Sequence, residues 1–309
     1  MNLNIRPYQT EDDYWRIRQF LREVFLLNDR KEYCWQPYRF DYWRWHGVEN
    51  IGDGPLEKTV FLWETPEGEL KAILNAEGHG EAFLQIHPAC QSADLMEEMM
   101  ALAEEELTVQ TGGQRRLTVW THSDETMLKE ILSRRGFRKG DGWCEYQRRR
   151  PLTLPIEPKP APEGFIVRSL GDVSDLPARG WASWRGFHTD EPLDGYGGWE
   201  WLLNVQRCPL YRRDLDLVAV APSGEVAAFC TVWFDDVTRT GAFEPVATAG
   251  EYRRLGLASA VMAEGLRRMK HLGATMATVG SYTPHAHALY ESMGFTDYLL
   301  AEPWEKIGE

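Results

Sequence analysis

The sequence predicts an α/β chain built from two related domains in tandem. Three observations lead there. A strand, a loop, a helix, a strand and a second helix follow one another near the C-terminus. The same kinds of element appear about 160 residues earlier. A proline-rich stretch separates the two sets.

The elements can be justified in order. Ile5-Arg6-Pro7 opens the first half and Ile166-Val167-Arg168 the second, each followed by acidic residues and a helix. The helix from Ser92 to Leu107 stands where Leu257 to Met269 stands. The strand Arg116 to Thr121 corresponds to Ala274 to Val279, and Arg134-Arg135-Gly136-Phe137 corresponds to Ser292-Met293-Gly294-Phe295. Four elements in the same order argue for a repeated unit rather than chance. Between them, residues 151–162 hold five prolines in twelve positions, which forbids a helix or central strand and favours a stiff connector. The expected division is a domain over 1–150, a linker over 151–162 and a domain over 163–309.

Composition narrows the function. The chain has 309 residues and a net charge of −13. Both halves carry more acids than bases, which speaks against a nucleic-acid partner. The five cysteines form no C-x-x-C pair and leave an odd one, as expected of reduced thiols in a cytoplasm. The first residues lack an apolar signal-like run, and no segment approaches membrane-spanning length, so no membrane partner is expected.

The most informative stretch is Glu251-Tyr252-Arg253-Arg254-Leu255-Gly256-Leu257-Ala258-Ser259. It reads as a tight loop feeding a helix whose apolar positions Val261, Met262, Leu266 and Met269 share a face. Gly256 lets the backbone approach a ligand closely. The first-turn N–H groups lack intrahelical partners and sit at the positive end of the helix, which suits a phosphate or pyrophosphate. Arg253 and Arg254 add positive charge.

Arg253-x-x-Gly256-x-Ala258 resembles the pyrophosphate loop of the GNAT acetyltransferases. Downstream, Ala286 to Phe295, with Leu289-Tyr290 and Gly294-Phe295, resembles that family's Ala-x-x-Leu-Tyr-x-x-x-Gly-Phe segment. The resemblance covers roughly residues 164–309. With the repeat, it implies two tandem GNAT-like domains, each a mixed, mostly antiparallel twisted sheet flanked by helices. It also implies an acetyl-CoA-dependent N-acetyltransferase.

From the resemblance, backbone groups of Arg254, Leu255, Gly256, Leu257, Ala258 and Ser259 would hold the pyrophosphate. Val246 and Thr248, on the strand before the loop, would pair with the pantetheine arm. Thr283 stands where the family often has an asparagine that contacts pantetheine. Tyr290 is the candidate general acid for the departing thiolate. Glu244 is the candidate base or substrate-orienting group, with Asp235 and Asp236 in reserve. The amine would attack the thioester directly, because no cysteine lies in the motifs. His285 and His287, two apart, face different ways on a helix, so no metal is expected.

The first half lacks this loop. Its counterpart runs His87 to Asp94, and an acid at Asp94 would satisfy the helix start and repel a pyrophosphate. Ile131-Leu132-Ser133 replaces the Leu-Tyr pair. The first domain is therefore expected to be degenerate, without acetyl-CoA.

After the first strand of the second half come Trp181, Trp184, Tyr196, Trp199 and Trp201 among Asp190, Glu191 and Asp194. Such aromatics mostly pack cores, with a minority left for a pocket. Those left would suit a small, cationic amine. Two other readings share these residues: a non-catalytic acyl-CoA or ligand sensor, and transfer of a different acyl group.

Overall fold

The computed structural model describes residues 2–308, which divide into two compact units. One comprises 1–147 with 299–309, the other 148–298.

The first unit runs β1 (Asn4–Pro7), α1 (Glu11–Leu27), α2 (Pro37–Tyr42) continuing as a π-helix over Trp43–Ile51, and α3 (Leu56–Thr59). Then come β2 (Val60–Glu64), β3 (Leu70–Asn75), β4 (Glu81–Ile86), α4 (Ala93–Glu106), β5 (Val109–Thr111), β6 (Gln114–His122), α5 (Thr126–Arg134), β7 (Arg138–Lys139) and the start of β8 (Glu145–Pro151). The main sheet order is β1-β2-β3-β4-β6, antiparallel except for the parallel β4–β6 pair. Helix α1 forms because Tyr14, Ile17, Leu21 and Val24 recur at helical spacing, and all four are buried. Its start is fixed by Asp13, which accepts the Gln9 and Thr10 amides and two bonds from Arg6. Strand β2 is buried along its length, as a strand covered on both faces must be.

The second unit runs β9 (Ile166–Ser169), α6 (Leu176–Phe187), α7 (Trp201–Val205), β10 (Asp216–Val220), β11 (Val226–Asp235) and β12 (Thr240–Thr248). It continues with α8 (Leu257–His271), β13 (Met276–Ser281), α9 (Pro284–Ser292) and the start of β14 (Asp297–Gly308). The order β9-β10-β11-β12-β13 repeats that of the first unit, with β12–β13 the parallel pair. Each unit is thus a mixed, mostly antiparallel sheet flanked by helices. Helix α8 lies on one face, burying Leu257, Val261, Leu266 and Met269, each worth about 1.5–3 kcal/mol in removed apolar surface. Helix α6 lies against the residues of the other face, Val218, Phe229 and Ala247. The Gly-Phe pairs correspond in detail: Gly136 and Gly294 both follow a helix with positive φ, +86° and +85°.

Two boundaries differ from expectation. Residues 299–309 belong to the first unit, because Ala301–Gly308 pair antiparallel with His122–Arg115 of β6. The proline-rich stretch belongs to the second unit, where Leu152 is buried and Ile156 packs against the core. No helix among the described residues is long and apolar enough to cross a membrane.

Candidate active site

Two strands of the second unit part company. The β12–β13 ladder starts at Thr240–Met276 and ends at Phe243–Val279. Val246 and Thr248, the residues expected to pair with a pantetheine arm, lie beyond the last rung while still pairing with β11 at Cys230 and Ala228. On the β11 side, Glu244 and Pro245 together oppose the single residue Thr231, forming a bulge. The Trp233 indole N–H donates to the Glu244 carbonyl inside this bulge. A bulge re-aims the side chains that leave it, and Glu244 is the ionisable one here.

The loop after β12 enters α8 through two left-handed residues, Arg254 (φ +64°) and Gly256 (φ +80°). A non-glycine residue with this φ is strained by about 1 kcal/mol or more, a feature that clusters at ligand sites. Gly256 is the N-cap of α8, and no side chain caps the first-turn amides there. A Cβ built on Gly256 would meet nothing within 4 Å, so the glycine answers to backbone conformation and the space before it is open. Uncapped amides at an open helix start fit an anionic group. The two arginines divide their work. Arg253 donates to the Gly186 carbonyl at 3.0 Å and ties the loop to α6, whereas Arg254 is exposed.

Tyr290 sits on α9, 6% exposed, in the core beneath α8. Among the described residues no hydrogen bond engages its hydroxyl. Burial pushes its ionisation well above the usual phenol range, and the Glu244 carboxylate and the Cys230 thiol push the same way. The group therefore keeps its proton at working pH, as a general acid must. Phe295 is fully buried, 6.3 Å from the Tyr290 ring and 6.1 Å from Phe243, so the Gly-Phe pair is the floor under the tyrosine.

Sequence reasoning missed what holds α9. Arg148 is 1% exposed and donates to Ser281 Oγ at 3.1 Å, the Phe295 carbonyl at 3.0 Å and Glu291 at 2.9 Å. Arg150, also buried, donates to the Met293 carbonyl at 2.9 Å. Both guanidiniums thus meet carbonyls at the C-terminal end of α9, where a helix favours positive charge. Gly294 needs its glycine twice over, since its φ is +85° and a Cβ would lie 2.9 Å from Arg150 Nε. The signal in the sequence was Arg148 and Arg150 two apart on a strand, sharing one face.

Other expected residues fall into structural roles. Thr283 caps α9, its hydroxyl accepting the Ala286 amide at 3.3 Å, and Pro284 takes the first helical position. Asp235 accepts the Thr238 amide and closes the β11–β12 hairpin. His287 bonds to Ser281 at 2.8 Å. On α6, Trp181 and Trp184 gather around Tyr196, at 5.1 and 6.1 Å between rings. Beside them Arg179, 1% exposed, reaches Thr231 in the bulge and lies 3.5 Å from Asp216. This buried pair was also invisible in the sequence.

Parted strands, an open glycine-led helix start and a buried tyrosine on the following helix occupy one domain, and the family comparison falls on that domain. Residues 181–295 match the acetyltransferase (GNAT) family. The second unit carries a GNAT acetyltransferase domain. A mycothiol acetyltransferase from Salinispora arenicola (strain CNS-205) is 29% identical over 192 residues, which is 58% of this chain and 59% of that protein's length. Among solved structures, a GCN5-related N-acetyltransferase from Sphaerobacter thermophilus superposes with a TM-score of 0.68 at 16% identity, over 99% of this chain and 95% of that one. A tandem GNAT protein from the clavulanic acid biosynthesis pathway also gives 0.68, at 12% identity over 99% and 98%. These structures share the fold of the whole chain, so the first unit is a second, GNAT-like domain. In that unit the helix start is closed. The cap of α4 is Ser92, whose hydroxyl accepts the Leu95 amide at 3.3 Å; Asp94, the expected cap, lies in the first turn instead.

Proposed function

We propose that the second unit transfers an acetyl group from acetyl-CoA to a small, cationic amine by direct attack. The observation that carries this reading is the coincidence of parted strands with an uncapped helix start that Gly256 leaves open.

The residues take these roles. Backbone amides from Arg254 to Ser259 bind the pyrophosphate, and Val246 and Thr248 offer their unpaired edge to the pantetheine amides. The thioester supplies the acyl carbon. Glu244, aimed by its bulge, takes a proton from the acceptor ammonium, directly or through a water. As the new C–N bond forms and the C–S bond breaks, Tyr290 donates its hydroxyl proton to the departing sulfur and recovers the proton that the new amide nitrogen loses. Burial keeps the proton on the Tyr290 hydroxyl, which suits the role of acid. The relative named as a mycothiol acetyltransferase supports acetyl as the acyl group.

Tyr290→Phe tests the assignment in a release assay for free CoA thiol against a panel of amines. The expected result is a fall of about 10²–10⁴-fold in kcat with CoA affinity unchanged. Unchanged kcat would remove Tyr290 from the chemistry. An absence of turnover in the wild type with CoA bound would favour the sensor reading.

A further inference from the structure

A bulge disrupts the ladder that holds a strand, and in β12 the disruption falls on Glu244 and Pro245. Phe243 and Val246 both pack in the core under α8, as do their ladder partners Val232 and Cys230. The two residues between them share the single partner Thr231. Pro245 has no N–H to offer, so a rung is missing here. A buried carbonyl left without a donor costs about 1–3 kcal/mol.

Trp233 supplies the donor. Its side chain is 1% exposed, and its indole N–H donates to the Glu244 carbonyl. By strand alternation Trp233 and Thr231 lie on the face of β11 where Phe229 packs with α6.

The indole is itself braced. Tyr211 stands edge-on to it, with 6.2 Å between ring centroids and 61° between planes. The Tyr211 hydroxyl donates to Asp216 Oδ2 at 3.1 Å and accepts from the Gln206 amide nitrogen at 3.0 Å. Burial pushes the ionisation of Tyr211 well above the usual phenol range, and the Asp216 carboxylate pushes the same way, so this proton stays in place. Asp216 Oδ1 in turn accepts from Thr231 Oγ1 at 3.2 Å. The bulge is therefore held from two sides. Trp233 holds the Glu244 carbonyl, and Asp216 holds the residue that opposes it. An unbulged strand would keep its rungs and need no indole. What the bulge adds is a direction for one carboxylate, that of Glu244, one residue past the last β12–β13 rung at Phe243.

We propose that Trp233 is a positioning residue for the transfer reaction: its indole N–H, braced by Tyr211, fixes the bulge and with it the approach of the Glu244 carboxylate to the acceptor amine. This role rests on the transfer reading given above.

The test removes the N–H and keeps the ring. β-(3-Benzothienyl)alanine in place of Trp233 carries sulfur where the indole carries N–H, and Trp233→Phe is a second variant. Release of CoA thiol is followed with the amine that the wild type turns over fastest in the panel above. In both variants kcat should fall about 10–100-fold, the loss that follows a misplacement of about 1 Å, while the Kd of acetyl-CoA stays within about twofold. In a Glu244→Gln background the same replacement should leave kcat unchanged, because Trp233 acts through Glu244. The wild-type indole offers a readout that stands even if neither variant folds: in ¹⁵N-tryptophan-labelled protein the Trp233 N–H should exchange with solvent far more slowly than those of the exposed Trp15 and Trp143. An unchanged kcat in a folded variant, an equal fall with and without the Glu244 carboxylate, or a Trp233 N–H exchanging as fast as Trp143 would overturn the proposal. A wild type that binds acetyl-CoA but turns over no amine would sink the transfer reading itself, whereas an active wild type with an equally active benzothienyl variant sinks the role of Trp233 alone.

Discussion

Gly256 allows stability and ligand binding to be separated by one substitution, Gly256→Asp. The residue caps α8 with φ +80° and ψ +6°, and a side chain there meets open space. Left-handed backbone disfavours most L-residues by about 1–2 kcal/mol, with aspartate among the more tolerant. Against this, a carboxylate at an N-cap satisfies a first-turn amide and the helix dipole, contributing about 0.3–1 kcal/mol. The net change in stability is therefore small, roughly 1 kcal/mol of destabilisation or less. Binding should respond far more. A unit charge placed about 6 Å from a phosphate, at an effective dielectric near 20, opposes it by about 3 kcal/mol, or roughly a hundredfold in Kd. The assay is calorimetric titration of CoA into wild type and variant, with Tm from scanning calorimetry on the same samples. A CoA affinity within threefold of wild type in a folded variant would refute the placement of the pyrophosphate at α8. A large fall in Tm would refute the argument that Gly256 serves ligand approach rather than packing.

Two further outcomes follow from the clamps. Arg148→Gln strips donors from the Phe295 carbonyl, Ser281 and Glu291, and should destabilise the second unit by about 2–4 kcal/mol, with faster amide exchange in α9 than in α1; equal exchange in both helices would contradict the clamp. In the first unit, hydrogen bonding from Arg6 holds the Asp13 carboxyl down to about 2 against the opposing effect of burial, from an ordinary value of 3.8. Because the folded value is the lower one, its contribution is present above pH 3.8 and is lost as pH falls toward 2. Asp13→Asn should therefore remove roughly 1–2 kcal/mol at pH 6 and much less at pH 2, read from urea unfolding at each pH.

The elements that sequence made legible are those with local signatures. The α8 face showed through its periodicity, the loop through Gly256, and Tyr290 through its place between Leu289 and Gly294. What stayed hidden is long-range. Nothing near Ala301 announces that it pairs with His122, since a strand's sequence encodes its faces and not its neighbour. Arg148, Arg149 and Arg150 form an unbroken basic run, yet the strand period sends the first and third inward onto α9. The bulge that aims Glu244 arises because two residues of β12 oppose Thr231, a relation between strands. Ser92 rather than Asp94 caps α4 because a cap must stand just outside the helix, and Asp94 falls inside its first turn.

On the proposed function, the chain holds one acetyl-CoA, seated between β12 and β13 of the second unit. Native mass spectrometry of the 309-residue chain, counting acetyl-CoA per chain, tests this. A single bound molecule is expected, because Ser92 closes the corresponding helix start in the first unit. Two molecules per chain would contradict that closure, and none would contradict the site itself.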